Sequence, residues 1–220
     1  MILDALRRWL TRAENLPHWE GFVAWAREHR WTLKRSSSQD GWAMDDSDAL
    51  PGWRIEWGPS QRVFMSAHEL RIRLDLPQCP DAQVLVMDRP LFARMDHEVY
   101  QQVTDAVQTR IDDQMPEEMR WLAMHAKLGS SALGPLRERY GAVADDPAFG
   151  ARWVAGPLAD ALLARAALVS AEASSSQPLM LRLARGTLLL RQGAENPDVP
   201  LLDACMQIAL AAQESAQFEA

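Results

Sequence analysis

The sequence predicts an α+β protein in which antiparallel sheet, in one sheet or two, is packed by amphipathic helices, and three observations carry that prediction. Residues 69–76 alternate strictly, with Leu70, Ile72, Leu74 and Leu76 set between Glu69, Arg71, Arg73 and Asp75. One face of that strand is therefore buried and the other wet, the signature of an antiparallel sheet; parallel strands covered on both sides tend to be continuously apolar. Leu91, Met95, Val99, Val103, Val107 and Ile111 form a four-residue apolar ladder after Pro90, predicting a long helix that stops before Pro116. Residues 179–184 and 187–191 flank Arg185-Gly186 and read as a hairpin.

The remaining elements follow in chain order. Ile2, Leu6 and Trp9 lie to one side of an amphipathic helix over residues 2–12, a docked N-terminal arm. Asn15 as N-cap and Pro17 in the first turn open a second helix, whose Trp19, Phe22, Val23 and Ala26 recur at helical spacing up to Arg30. Between residues 31 and 88 the pattern changes to short runs broken by Gly, Pro, Ser and Asp, read as strands at 31–35, 42–45, 53–57, 70–76 and 83–87. Glu117 and Glu118 favour the start of a helix with Met119, Leu122, Ala123 and Ala126 on its inner face, and Gly129 stops it. A strand is expected around residues 152–154, a helix from Pro157, and a last helix capped by Asp198 with Leu202, Cys205, Met206 and Ala209 inward. Strand-strand-helix thus recurs at 70–113 and 179–216. We read a single α+β domain over 1–220, divisible into packed halves 1–128 and 136–220; a shared way of covering a sheet explains the recurrence as well as duplication does.

Composition excludes several function classes. At 220 residues, 48% of them hydrophobic and 24% charged, the chain has ordinary globular usage and enough length for a sizeable core. A net charge of −7 opposes binding to a phosphate backbone, so no nucleic-acid partner is expected. Only Lys34 and Lys127 among the 23 basic residues are lysine, a bias attributed to codon usage in a bacterial genome. Cys79 and Cys205 stand alone, which fits a reducing, cytoplasmic compartment, and Asp4 with two arginines interrupts what an export signal would need as an apolar core. The longest uncharged run, 204–213, is about half of the ~20 residues of a membrane span.

The stretch Tyr140-Gly141 through Asp145-Asp146-Pro147-Ala148-Phe149 and Trp153-Val154-Ala155-Gly156, followed by a Leu/Ala/Arg helix and a Gly-centred hairpin, resembles an uncharacterised bacterial protein family over roughly the last 80 residues. Gly150 stands where that family is expected to carry Asp. The resemblance implies a continuous strand, helix, hairpin and helix over 151–216, and it implies no activity.

No catalytic or metal-binding constellation follows from spacing. His18, His29, His68, His97 and His125 never fall at i, i+4, the spacing that aims two imidazoles at one metal, so neither metal nor cofactor is expected. Asp96-His97-Glu98 points in three directions about 100° apart on a helix and reads as a solvated face. Asp45-Asp46-Ser47-Asp48 lacks the further ligands, glycine and glutamate of a calcium loop and reads as a strand end or turn. Phosphate-loop, dinucleotide and nucleophile-elbow patterns do not occur. Cys79 has no neighbour that would lower its pKa.

Tryptophan is the unusual feature: nine in all, seven of them at or before residue 57. Trp53, Ile55 and Trp57 share a strand face that either packs a core or lines a groove, while Arg54 and Glu56, opposite, are placed to pair with Arg71 and Arg73 or to hold an anion. The binding candidates are Trp53, Trp57, His68, Arg71 and Arg73. We expect a non-enzymatic binding or accessory module with a protein partner or a second copy of itself; the alternative is an enzyme or small-ligand protein whose pocket is assembled from distant residues, with His68, Arg71 and Arg73 at its mouth.

Overall fold

The fold was obtained as a computed structural model that describes residues 16, 18–36, 40–47, 50–76, 79, 81–105, 115–169 and 173–217. Helix α1 (Trp19–Glu28) leads into β1 (Thr32–Arg35), β2 (Trp42–Ser47), β3 (Leu50–Pro59), β4 (His68–Asp75) and β5 (Gln83–Asp88). Then come α2 (Arg89–Asp105), α3 (Glu117–Met124), β6 (Ala126–Lys127), α4 (Ser130–Leu133), a 3-10 turn (Gly134–Glu138) and β7 (Tyr140–Ala144). Helices α5 (Pro147–Trp153), α6 (Pro157–Leu168) and α7 (Ala173–Ser176) precede the β8 (Leu179–Ala184) and β9 (Thr187–Gly193) pair and the last helix α8 (Val199–Gln217). The expected helix at 2–12, its neighbours Asn15 and Pro17, and the end of the long helix at Val107 and Ile111 lie outside the described residues.

All nine described strands join one antiparallel sheet in the order β1-β2-β3-β4-β9-β8-β5-β7-β6. The β8–β9 hairpin turns through Arg185 and Gly186, both at positive φ (49° and 68°), as a two-residue turn matching strand twist requires. The runs at 70–76 and 83–87 are strands but not partners: β9 and β8 lie between them, so Ile72 faces Leu190 and Val86 faces Leu181. The two halves drawn at 1–128 and 136–220 therefore share one sheet, with β5 seated between β8 and β7.

The strand expected around residues 152–154 is instead the end of α5, and the strand of this region is Tyr140–Ala144. The local cause is Asp146, whose Oδ1 accepts from the N–H groups of Ala148 (2.8 Å) and Phe149 (3.2 Å) and caps a helix that Pro147 starts. Asp198 caps α8 as expected, accepting from Leu201 N–H at 2.9 Å.

One sheet face carries Trp42, Met44, Trp53, Ile55, Trp57, Leu70, Ile72 and Leu74 into a continuous core with β8, β9 and helices α1, α5, α6 and α8. On the other face the buried apolar cluster draws its strand residues from β5, β7 and β8, and there Leu85, Met87, Val143 and Met180 meet Leu91, Phe92, Met95 and Val99 of α2 and Met119, Trp121 and Leu122 of α3. No described helix packs over β2, β3 and β4 on this second face, where Asp45, Arg54, Glu56, Glu69, Arg71 and Arg73 alternate with the core residues. A full core on one side and a half-covered one on the other leave a solvated, charged strip of sheet.

Candidate functional site

The strip is assembled by strand register. Arg54 lies opposite Arg73, Glu56 opposite Arg71, and Arg71 opposite Arg191, so arginines from three strands meet across β3, β4 and β9. Two like charges directly opposed repel, and each is offset by a carboxylate within reach. Arg54 bonds Asp45 (2.5 Å) and Glu56 (2.7 Å), and Arg71 bonds Glu56 (3.4 Å) and Glu69 (3.1 Å). Arg73 stays near Asp75 at 3.5 Å with 60% of its side chain exposed, so screening leaves that pair little energy. Asp45 also meets Lys34 at 3.5 Å, and Asp45 to Ser47 form the end of β2.

At one end the strip sinks into the protein. The Glu69 carboxylate, wholly buried, accepts through Oε1 from Arg191 Nη1 (2.5 Å), Arg71 Nη1 (3.1 Å) and the N–H of Gln61 (3.1 Å). Glu118 of α3, equally buried, takes Arg62 Nε at 3.1 Å on both oxygens. The loop over residues 60–67 is thereby tied to the sheet and to α3 by charge-assisted bonds. Burial depresses the Arg191 pKa; Glu69 opposes that shift, and the neighbouring Arg62 adds to it. Glu69 Oε2 and Arg191 Nε are both buried without a hydrogen-bond partner, as is Arg182 Nε on the adjoining β8. The remainder of Arg182 bonds Glu117 and lies over the Trp121 ring, 5.7 Å from its centroid.

The five candidate residues do not converge. Trp53 and Trp57 are buried in the core on the opposite face, with 3% and 5% of their surface exposed, and Trp57 Nε1 donates to the Ala194 carbonyl at 2.7 Å. His68 stacks on Trp57 at 5.2 Å between ring centroids and shares that face. Arg71 and Arg73 belong to the charged strip. The tryptophans pack rather than form a groove, and the sheet separates them from the arginines. Asp96, His97 and Glu98 also diverge: Asp96 holds Lys127 at 2.7 Å, His97 meets Gln101 at 2.9 Å, and Glu98 borders a different cavity.

A second buried constellation had no local signal. Arg165 of α6 places Nη1 2.7 and 2.9 Å from the two oxygens of Asp88, Nε on Gln192 (3.1 Å) and Nη2 on the Gln177 carbonyl (2.9 Å). Asp88 also accepts from Leu179 N–H at 2.8 Å. Burial pushes the Asp88 carboxyl up against the pull of Arg165, and burial likewise raises the adjacent Tyr140. With each of these groups bonded, the constellation closes the end of β5 onto β8 and α6. Among the described residues no group of three or more His, Cys, Asp or Glu is placed to hold a metal ion, and no helix is long and apolar enough to cross a membrane.

Fold and site together define an α+β protein with a charged sheet face over which no described helix lies. No family model matches the chain, and no curated protein matches it. Among solved structures the chain is similar to the mycobacterial trehalose monomycolate transport factor A, TtfA, with 9% sequence identity, a TM-score of 0.47, and coverage of 90% of this chain and 93% of that one.

Proposed function

We propose that this chain is a non-enzymatic binding module that takes a protein partner on the charged face of β2, β3, β4 and β9. The observation that supports this reading is the pairing of a rigid sheet interior with an outer face over which no described helix lies and on which the guanidinium groups are already held by carboxylates. Pre-set charges of this kind steer encounter and select partners more than they add affinity. Arg54 and Arg73, half or more exposed, are the groups that offer themselves to a partner's carboxylates. The test is affinity capture from cell lysate with wild-type protein and with Arg54→Glu/Arg73→Glu, both checked for native circular dichroism. A stoichiometric partner held by the first and lost by the second supports the reading; no stoichiometric partner, or one held equally by both, defeats it.

A second reading, a small-ligand protein with a pocket built from distant segments, is favoured by a cavity of about 390 Å³ where residues 63–66 meet Arg94, Glu98, Ser176 and Glu195. A metabolite that raises the melting temperature of wild-type protein but not of Glu98→Gln would favour it over the partner reading.

A further inference from the structure

Four segments far apart in sequence converge on the cavity of about 390 Å³: the loop over residues 60–67, the middle of α2, α7 with Pro178, and Glu195 after β9. Its volume falls within the ~300–1,000 Å³ of small-molecule sites. The walls are fixed. Phe64 is buried in the cluster that α2 covers, Pro178 is buried, and Ser66 Oγ donates to the Ser176 carbonyl, which joins the loop to α7. The bond from Arg62 to Glu118 ties the same loop to α3.

Three charged side chains border this cavity, and none of them is neutralised. Arg94 and Glu98 lie one turn apart on α2, a spacing at which opposite charges ordinarily meet. Here Arg94 Nη2 donates instead to the Phe64 carbonyl at 2.9 Å. Among the described residues neither Arg94 nor Glu98 makes an ion pair, and Glu195 makes none either. One positive charge thus stands against two negative ones. The loop wall adds apolar surface that nothing covers: Val63 is 99% exposed, and Met65 beside it is half-buried.

We propose that this cavity binds a small basic amino acid. The inference rests on the small-ligand reading of the cavity and does not require the charged face. The ligand's carboxylate accepts from the Arg94 guanidinium, and its two ammonium groups pair with Glu98 and Glu195, which cancels the local excess of negative charge. Its aliphatic stem covers Val63 and Met65. A carboxylate without ammonium groups would face two like charges, and an amine without a carboxylate would face Arg94. Both are disfavoured.

The experiment is a titration of ¹⁵N-labelled full chain with L-lysine at low ionic strength, where surface charges are least screened, followed by amide NMR. L-norleucine, 6-aminohexanoate and cadaverine serve as separate arms, each lacking one of the three charges. Expected are saturable shifts centred on residues 63–66, Glu98 and Glu195 with lysine, and binding at least about fivefold weaker for each analogue, the loss that one partly exposed ion pair produces. Glu98→Gln and Glu195→Gln, whose unaltered spectra elsewhere report an intact fold, are each expected to weaken lysine about fivefold. An analogue that binds as tightly as lysine overturns the proposal, as does the absence of saturable shifts with lysine or an unchanged affinity in both variants. With lysine inert, another metabolite that stabilises wild-type protein but not Glu98→Gln overturns this inference and leaves the small-ligand reading standing. If no metabolite does so, both fall.

Discussion

Arg165 and Asp88, one on helix α6 and the other at the end of β5, form an ion pair with 0% and 2% of their side chains exposed and Nη1 shared between both carboxylate oxygens. Removing one member leaves the other charged in a medium that cannot solvate it. Arg165→Met is expected to lower stability by about 3–5 kcal/mol, and Asp88→Asn added to it to recover part of that loss. Urea unfolding of the two variants measures this; a single substitution costing less than about 1 kcal/mol would show the pair to be solvated.

The charged strip is expected to divide by depth. Arg73→Ala, at a well-exposed position, should change stability by no more than about 0.5 kcal/mol. Arg191→Ala leaves the buried Glu69 with Arg71 as its remaining guanidinium partner and should cost about 2 kcal/mol or more. Chemical denaturation of both variants at one salt concentration checks the contrast; equal effects would contradict the burial gradient.

How much of this was legible in the sequence depended on whether the deciding interaction was local. The strict alternation of residues 69–76 placed Leu70, Ile72 and Leu74 in the core and Arg71 and Arg73 on the other face, because period two fixes faces without knowledge of the partner strand. Alternation likewise set Trp53, Ile55 and Trp57 on one face but left open whether that face packs a core or lines a groove. Strand β7 escaped because Tyr140–Ala144 is buried along its whole length and, after Tyr140, built of small residues, leaving no alternation to read. The nearby signal, Asp146 followed by Pro147, does mark a helix start, although the pattern at residues 152–154 predicts a strand. The Asp88–Arg165 pair has no local trace, since its members lie 77 residues apart, and the Glu69–Arg191 contact has none either, since Arg191 reaches β4 only when the C-terminal hairpin enters the sheet.

The two thiols are expected to differ in reactivity. Burial pushes the Cys205 thiol up to about 12, and it also raises half-buried Cys79, which borders a surface hollow with Asp75 and Arg185. Neither is activated, but only Cys79 is reachable. Under native conditions a disulfide reagent such as DTNB should modify Cys79 slowly and leave Cys205 untouched, with both reacting in denaturant. Rapid native reaction of Cys205 would mean that the α8 contact opens.

His125 should give stability a pH dependence. Its ring lies 2.9 Å from Gln83 Oε1 and against Trp121, and burial lowers its pKa, with Asp145 opposing the shift. As pH falls, the unfolded chain takes up this proton first, near the ordinary histidine value of about 6.5. The stability that His125 contributes is therefore complete above about pH 6.5 and is lost as pH falls from there through its lower folded-state pKa. His125→Gln should flatten this part of the profile, read as urea midpoints between about pH 7.5 and pH 5. An unchanged slope would assign the dependence elsewhere.

The seating of β9 and β8 between β4 and β5 also sets an order of assembly. Leu74 waits for Leu188, and Val84 for Leu183, so two inner strands made early in synthesis keep open edges until the hairpin around Arg185 has emerged. Such edges are templates for pairing with other chains. During translation the nascent protein carries two adhesive strands for most of its length, and a ribosome stalled before residue 179 would release a fragment prone to aggregate, not a smaller folded domain.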